Sequence, residues 1–177
     1  MSDILTRNMV SLLPITMEDT ELIIRWRNNP NVQRNFVFRE HFTDEMHINW
    51  MNNMVLAGKV VQFIIQDNAS QKKIGSVYLR DIDKQFRSAE YGIFIGEDDY
   101  RGKGFGSESA KIIVNYGFHV MKLHRIFLRV LKSNAIAVSS YKKAGFEVEG
   151  IARDMVYLDG SYHDIIFMSM INEEVSE

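Results

Sequence analysis

The spacing of apolar positions changes several times along the chain, and each change predicts an element. Met9–Ile15 is an apolar run ending near Pro14 and reads as a strand. Thr16 then stands where an N-cap belongs, with Asp19 three residues on as its capping-box partner. Leu22, Ile23 and Trp26 recur at helical spacing as far as Arg27, and Asn28-Asn29-Pro30 stops that helix. Thr43 caps a second helix, whose Met46, Trp50, Met51 and Met54 share one face and which Gly58 ends. From Val60 the spacing becomes that of strands: Val60–Gln66, Ile74–Arg80, and Ser88–Ile95, where Tyr91, Ile93 and Ile95 alternate with Glu90, Gly92 and Phe94. The short connections, Asp67–Lys73 and a polar bend holding Asp81-Ile82-Asp83, predict an antiparallel meander.

Gly96 through Gly106 leads into a helix whose buried stripe is Ala110, Ile113, Val114, Gly117, Phe118 and Met121. Arg125–Leu131 is again a strand. Ser133 or Asn134 caps a short helix closed by Gly145, with Phe146 placed for the apolar contact of a glycine cap. Glu147–Leu158 and Ser161–Met170 flank Asp159-Gly160, a hairpin signal. The result is a mixed α+β chain. The strand–helix–strand step over residues 90–130 should pair two strands in parallel, with the glycine loop at the carboxyl end of the first. No repeat or linker divides the chain, so residues 1–177 are expected to form a single domain.

Composition narrows the function. Lys+Arg 21 against Asp+Glu 23 leaves a net charge of -2, which argues against a nucleic-acid partner held by bulk electrostatics. With no cysteine, disulfides, Cys-based zinc sites, iron–sulfur clusters and a thiol nucleophile are excluded. No apolar run is long enough to span a membrane, and the first residues lack the pattern of a secretory signal, so a cytoplasmic location is the default expectation. His119 and His124 are five apart and do not share a helical face, while His41, His47 and His163 are isolated; no metal site is expected.

Arg101-Gly102-Lys103-Gly104-Phe105-Gly106 is the most informative segment. Alternate glycines remove Cβ atoms where the backbone enters a helix, leaving N–H groups to face an anion, and the helix dipole, Arg101 and Lys103 add positive charge. Phosphate or pyrophosphate is the natural ligand. The Gly-Lys-Ser/Thr of a P-loop is absent, and the stretch where a dinucleotide site would carry its ribose-binding acid, Met121–Arg125, holds none.

Arg101-x-x-Gly104-x-Gly106 resembles the coenzyme A pyrophosphate loop of the GNAT N-acetyltransferases. Ser88–Ile95 is similar to that family's central strand, and Asn134–Phe146 to its second signature, an Asn-initiated helix carrying a tyrosine and closing in Gly-Phe. Gly150-x-x-Arg153 and Gly160-x-Tyr162-x-Asp164 resemble the ending of the branch that acetylates ribosomal proteins. The resemblance spans Met9 to Met170. It implies the GNAT fold, a central, mostly antiparallel twisted sheet flanked by helices, with acetyl-CoA as cosubstrate and no metal.

The resemblance also implies roles. Phe94 and Ile95 would line the pantetheine arm through their backbone; Arg101, Gly102, Lys103, Gly104, Phe105 and Gly106 would hold the pyrophosphate; and Asn134 would cap its helix and touch the coenzyme. Tyr141, a phenol protonated at neutral pH, is the candidate general acid for the departing thiolate. Glu90 is the candidate base for the acceptor amine, and it reads equally as a solvated or salt-bridged strand glutamate. Trp26, Arg27, Asn28 and Tyr162 fall in the regions that bind the acceptor in this family. That acceptor is a small-molecule or peptide amine: a protein N-terminus, a polyamine or another small amine. Two alternatives stay open, a UDP-4-amino sugar and a non-catalytic acyl-CoA-binding module; the Trp-Arg-Asn-Asn-Pro-Asn stretch resembles strings found both in ribosomal-protein alanine acetyltransferases and in acetyltransferases of UDP-linked 4-amino sugars. Homodimer formation is a further expectation. The missing cysteine favours direct amine attack in a ternary complex over a covalent acetyl-enzyme.

Overall fold

The computed structural model describes residues 3–174. Its strands are β1 (Thr6–Arg7), β2 (Val10–Pro14), β3 (Val61–Asp67), β4 (Lys73–Asp83), β5 (Ser88–Ile95), β6 (Arg125–Leu131), β7 (Glu147–Leu158) and β8 (Ser161–Ile171). Its α-helices are α1 (Thr20–Arg27), α2 (Pro30–Gln33), α3 (Asp44–Trp50), α4 (Phe105–His119) and α5 (Ala135–Ala144). One sheet carries the strands in the order β1-β2-β3-β4-β5-β6-β8-β7.

Every neighbouring pair is antiparallel except β5 and β6, which pair in parallel over Ser88↔Arg125, Ala89↔Ile126 and Glu90↔Phe127 only. Beyond Glu90, β5 follows β4 as far as Gly75↔Ile95, while β6 follows β8 as far as Leu131↔Ile165. The sheet therefore splits along the outer half of this pair.

Both faces of the sheet are covered, which is why its central strands read as nearly continuous apolar runs. On one face Val77, Leu79, Ala89 and Tyr91 pack against Ala110, Ile112, Ile113 and Val114 of α4. On the other, Ile64 and Phe94 bury Ile23 and Trp26 of α1, Val32 of α2, and Met51. Apolar burial of this extent is the main force holding the layers.

The local signals hold, with shifts. Thr16 N–H donates to Asp19 Oδ2 (2.9 Å) as expected, but this pair closes a 3₁₀ turn, Met17–Asp19, and α1 starts only at Thr20. Asp19 is buried against Lys73 Nζ at 2.6 Å. Pro30 does end α1, yet it also opens α2 at its first position, capped by Asn29 Oδ1 accepting from Asn31 N–H (2.9 Å). Asn134 Oδ1 accepts from Ala137 N–H (3.2 Å) to cap α5, and Gly145, at φ +110, closes it. Asp159 and Gly160 both have positive φ, the conformation a tight hairpin requires. Asp81–Asp83, read as a bend, instead extends β4 through a register shift. No described helix is long and apolar enough to cross a membrane.

Candidate active site

The split between β5 and β6 opens into a cavity of about 1030 Å³ whose lining comes from both faces of the sheet. At one end lies the glycine loop. Gly102 (φ +72) and Gly104 (φ +94) occupy left-handed conformations in open space, so they serve the backbone path rather than packing. Gly104 caps α4, whose first intrahelical bond runs from Glu108 N–H to Gly104 O; the amides of Phe105, Gly106 and Ser107 have no partner within the helix. This cradle of N–H groups at a positive helix end fits a pyrophosphate. Arg101 steadies it: its Nε donates to Ile95 O (3.0 Å) and its Nη2 lies 2.8 Å from Asp98 Oδ1. Apart from that Asp98–Arg101 pair, the preceding acidic run is tied to α1 and α2. Glu97 takes Trp26 Nε1 (2.7 Å), Arg25 (2.5 Å) and Lys72 (2.7 Å), while Asp98 takes Asn29 and Asn31 (3.0 Å each), fixing α1 and α2 to the end of β5.

Gly96 N–H bonds Ile74 O, on the β4 side. Backbone groups alternate along a strand, so the N–H groups of Ile95, Ile93 and Tyr91 face the split, and that of Phe94 faces β4. The Tyr141 ring, on α5, meets Tyr91 edge-on at 5.7 Å and lines the same cavity. Burial raises the pKa of its phenol well above the ordinary value, so it keeps its proton.

On the α1–α3 face the cross-strand pairs Tyr78↔Gly92 and Arg80↔Glu90 form the floor. A Cβ on Gly92 would stand 2.3–2.5 Å from the Tyr78 ring, so this glycine exists to let that ring lie against β5. Trp50 Nε1 donates to Gln62 Oε1 (2.7 Å), whose Nε2 donates to Ser76 (2.9 Å). Glu90, 3% exposed, accepts from Arg80 Nε (3.0 Å) and from Arg129 Nε and Nη2 (2.8 and 2.9 Å). Burial pushes its carboxyl up in pKa, but the bonds and charges of Arg129 and Arg80 outweigh that and leave it below the usual range. Arg27 lies over Phe36 (3.8 Å to the centroid) and near Phe42 (4.9 Å). Its Nε is buried, and no hydrogen bond or ion pair joins it to another described residue. His47 is buried; the Thr20 hydroxyl donates to Met17 O (2.7 Å) and so accepts from His47 Nδ1 (3.0 Å), leaving Nε2 as an unpartnered lone pair. Burial lowers the pKa of this imidazole and keeps it neutral.

The acetyltransferase (GNAT) domain family model matches residues 10–147. The chain belongs to the GNAT family, and it is an N-acetyltransferase. Spermidine N(1)-acetyltransferase of Escherichia coli (strain K12) is 30% identical over 93% of this chain and 87% of its own length. The ribosomal N-acetyltransferase candidate YdaF of Bacillus subtilis (strain 168) is 29% identical over 56% of this chain and 54% of its own. Among solved structures, spermidine N-acetyltransferase from Vibrio cholerae, in complex with CoA and spermine, matches with a TM-score of 0.86 at 27% identity, over 93% of this chain and 96% of that one.

Within this GNAT chain, the fold brings Arg27, Glu90, Phe94, Ile95, Arg101, Gly102, Gly104, Gly106, Asn134 and Tyr141 to one cavity. Other expected residues lie elsewhere, each for a visible reason. Lys103 is exposed on the loop, and the Phe105 side chain is in the core against Tyr100, leaving only its amide for a ligand. Trp26 does not line the cavity: its indole is 1% exposed and packs where a Cβ on Gly96 would fall. Asn28 is a tie rather than a contact for substrate, bonding both the N–H and C=O of Phe42 at 2.8 Å. Tyr162 meets Tyr157 in a tilted ring contact (5.0 Å, 60°) at the exposed β7–β8 hairpin, beside a separate shallow dent with Lys132 and Asp164. Sequence reasoning missed Tyr78, Arg80, Arg129, Trp50 and His47. The first two had one usable signal, since they stand opposite Gly92 and Glu90 once the meander register is drawn.

Proposed function

We propose that this chain acetylates the primary amine of a small molecule, using acetyl-CoA in a ternary complex. The observation that carries this is the split sheet, with an anion cradle at one end, Tyr141 beside it, and a polar chamber across the sheet. The coenzyme supplies an activated acyl thioester. The amides of Gly104–Ser107 hold its pyrophosphate, and Asn134 and the edge of β5 guide its arm. An N–H of β5 facing the split, that of Ile95 or Ile93, polarises the acyl oxygen as charge develops there. Tyr141 donates its proton to the departing sulfur and recovers one from the acylated nitrogen through water. Glu90, with both oxygens committed, orders Arg80 and Arg129 at the chamber wall, and water removes the first proton from the incoming ammonium. Relatives named for spermidine acetylation make that polyamine one of the amines to test. The exposed outer edge of β7, with Val148, Ile151, Met155 and Tyr157, supports self-association.

Saturating acetyl-CoA should raise the melting temperature where NAD and ATP do not. Thiol release should then follow on addition of a polyamine, a peptide with a free N-terminus or a UDP-linked amino sugar. No shift with acetyl-CoA would sink the coenzyme assignment.

A further inference from the structure

The electrostatics of the acceptor chamber do not suit a polycation. Among the described residues lining the cavity, Glu90 is the only carboxylate, and it is already spanned by two guanidinium groups. Arg27, Arg80 and Arg129 share this end of the cavity. A spermidine-like acceptor would bring several positive charges against three arginines, with one committed carboxylate to answer them. Like charges at that range in a partly desolvated site disfavour binding.

Arg27 is the informative member. It reaches the cavity wall from the last turn of α1, held flat by Phe36 and Phe42, and finds no acceptor among the described residues. A half-buried guanidinium with its donors unanswered is costly, because burial removes water's hydrogen bonds without replacing them. Every other arginine of the cavity, namely Arg80, Arg101 and Arg129, has a carboxylate partner. The fork geometry of an arginine matches two oxygens of a phosphate or carboxylate. The aromatic rings against it, Phe36 and Phe42, together with Phe38 and Trp50 elsewhere in the cavity lining, offer flat apolar surface for the ring of a sugar or base.

We infer that the amine acceptor carries an anionic oxygen group, a phosphate ester or a nucleotide diphosphate, and that Arg27 is the residue that binds it. This rests on the small-amine reading above and narrows its substrate class away from polyamines. Arg27 selects the acceptor without taking part in the chemistry of transfer, so its removal should appear in KM and not in kcat.

The test is thiol release at saturating acetyl-CoA with glucosamine, glucosamine 6-phosphate, a UDP-linked amino sugar and spermidine, on the parent chain, Arg27→Gln and Arg27→Lys. The parent should prefer the phosphate-bearing acceptors to glucosamine and to spermidine, and the monoester and diphosphate arms identify which source the site is built for. Arg27→Gln should raise KM for the preferred acceptor roughly 10- to 100-fold, the range expected for a lost charge-assisted hydrogen bond, with kcat held. Arg27→Lys, which keeps the charge but not the fork, should fall between. An unchanged acetyl-CoA thermal shift confirms that each variant is folded; the comparison among acceptors on the parent alone decides the question if a variant is not. Spermidine turned over as well as the phosphorylated amines, or an Arg27→Gln variant with its preference intact, would overturn the inference while leaving amine acetylation standing. Failure of every acceptor, with the coenzyme shift present, would instead count against the small-amine reading itself.

Discussion

Replacing Glu90 with glutamine separates two roles for a buried carboxylate at this site. Glu90→Gln keeps the shape but removes the charge that answers Arg80 and Arg129. Three ion-pair hydrogen bonds become at best bonds from a charged guanidinium to a neutral amide oxygen, and each such change costs about 1 kcal/mol. The amide also turns N–H groups toward guanidinium donors. Against this, the two arginine side chains are 36% and 42% exposed and can relax into water, so the full penalty of a broken buried pair does not apply. We therefore expect a loss of about 2–3 kcal/mol, a fall of roughly 4–12 °C in Tm for a chain of this length. Differential scanning fluorimetry measures it, and pH profiles of kcat from thiol release accompany it. If the carboxylate is a clamp, Tm falls, the acidic limb of the profile survives, and a second change, Arg129→Met, returns part of the lost stability by removing an unanswered charge. A variant that melts with the parent while losing at least about 100-fold in kcat and its acidic limb would make Glu90 the base and refute the clamp.

Three further outcomes follow from the same geometry. Tyr141→Phe should keep its thermal shift with acetyl-CoA and lose about 10²- to 10⁴-fold in turnover; unchanged turnover removes the phenol from the acid role. Gly92→Ala should cost about 1–3 kcal/mol by overpacking and raise KM for the acceptor, because its methyl displaces the Tyr78 ring into the chamber; a parent-like Tm and KM would contradict that packing. Hydrogen bonds from Arg125 and Ser169 hold the Glu149 carboxyl down at about 2, and Glu90 and Glu97 also lie below the usual range. Groups of this kind stabilise the fold fully above the ordinary carboxylate value, near ~4.3, and lose that contribution as pH falls through their folded values. Tm should be level from neutrality to about pH 5 and drop steadily below about pH 4; a level Tm down to about pH 2.5 would show that these ion pairs add nothing.

Much of the frame was legible in one dimension because its signals are local. Asn134 caps α5 with its own side chain, Gly145 closes it with a backbone conformation other residues resist, and the hairpin turns on Asp159-Gly160; none needs a distant partner. The glycine loop was legible for the same reason, since its N–H cradle depends on consecutive residues at a helix start. Elements that sequence reading missed are those with two uses for one signal. Pro30 both stops α1 and starts α2, and Asp19 both completes a capping pair and anchors Lys73.

The acceptor side is different. Trp26 and Arg27 are adjacent and equally suggestive in sequence, yet one is sealed under Gly96 and the other lies open to the cavity beneath Phe36. On a helix, neighbouring residues point about 100° apart, and only the docking of α1 on the sheet determines which one reaches the chamber. Glu90 shows the same limit: its position on β5 was readable, but its two arginines come from β4 and β6, ten and thirty-nine residues away. The amino-acid order by itself determined most of the elements and the glycine-rich turn into α4, because short-range hydrogen bonding and backbone freedom encode them, while the acid role of Tyr141 came from family resemblance. Whether a carboxylate is a base or a clamp, and which arginine is left unanswered, depends on long-range burial and charge that only the folded sheet assembles.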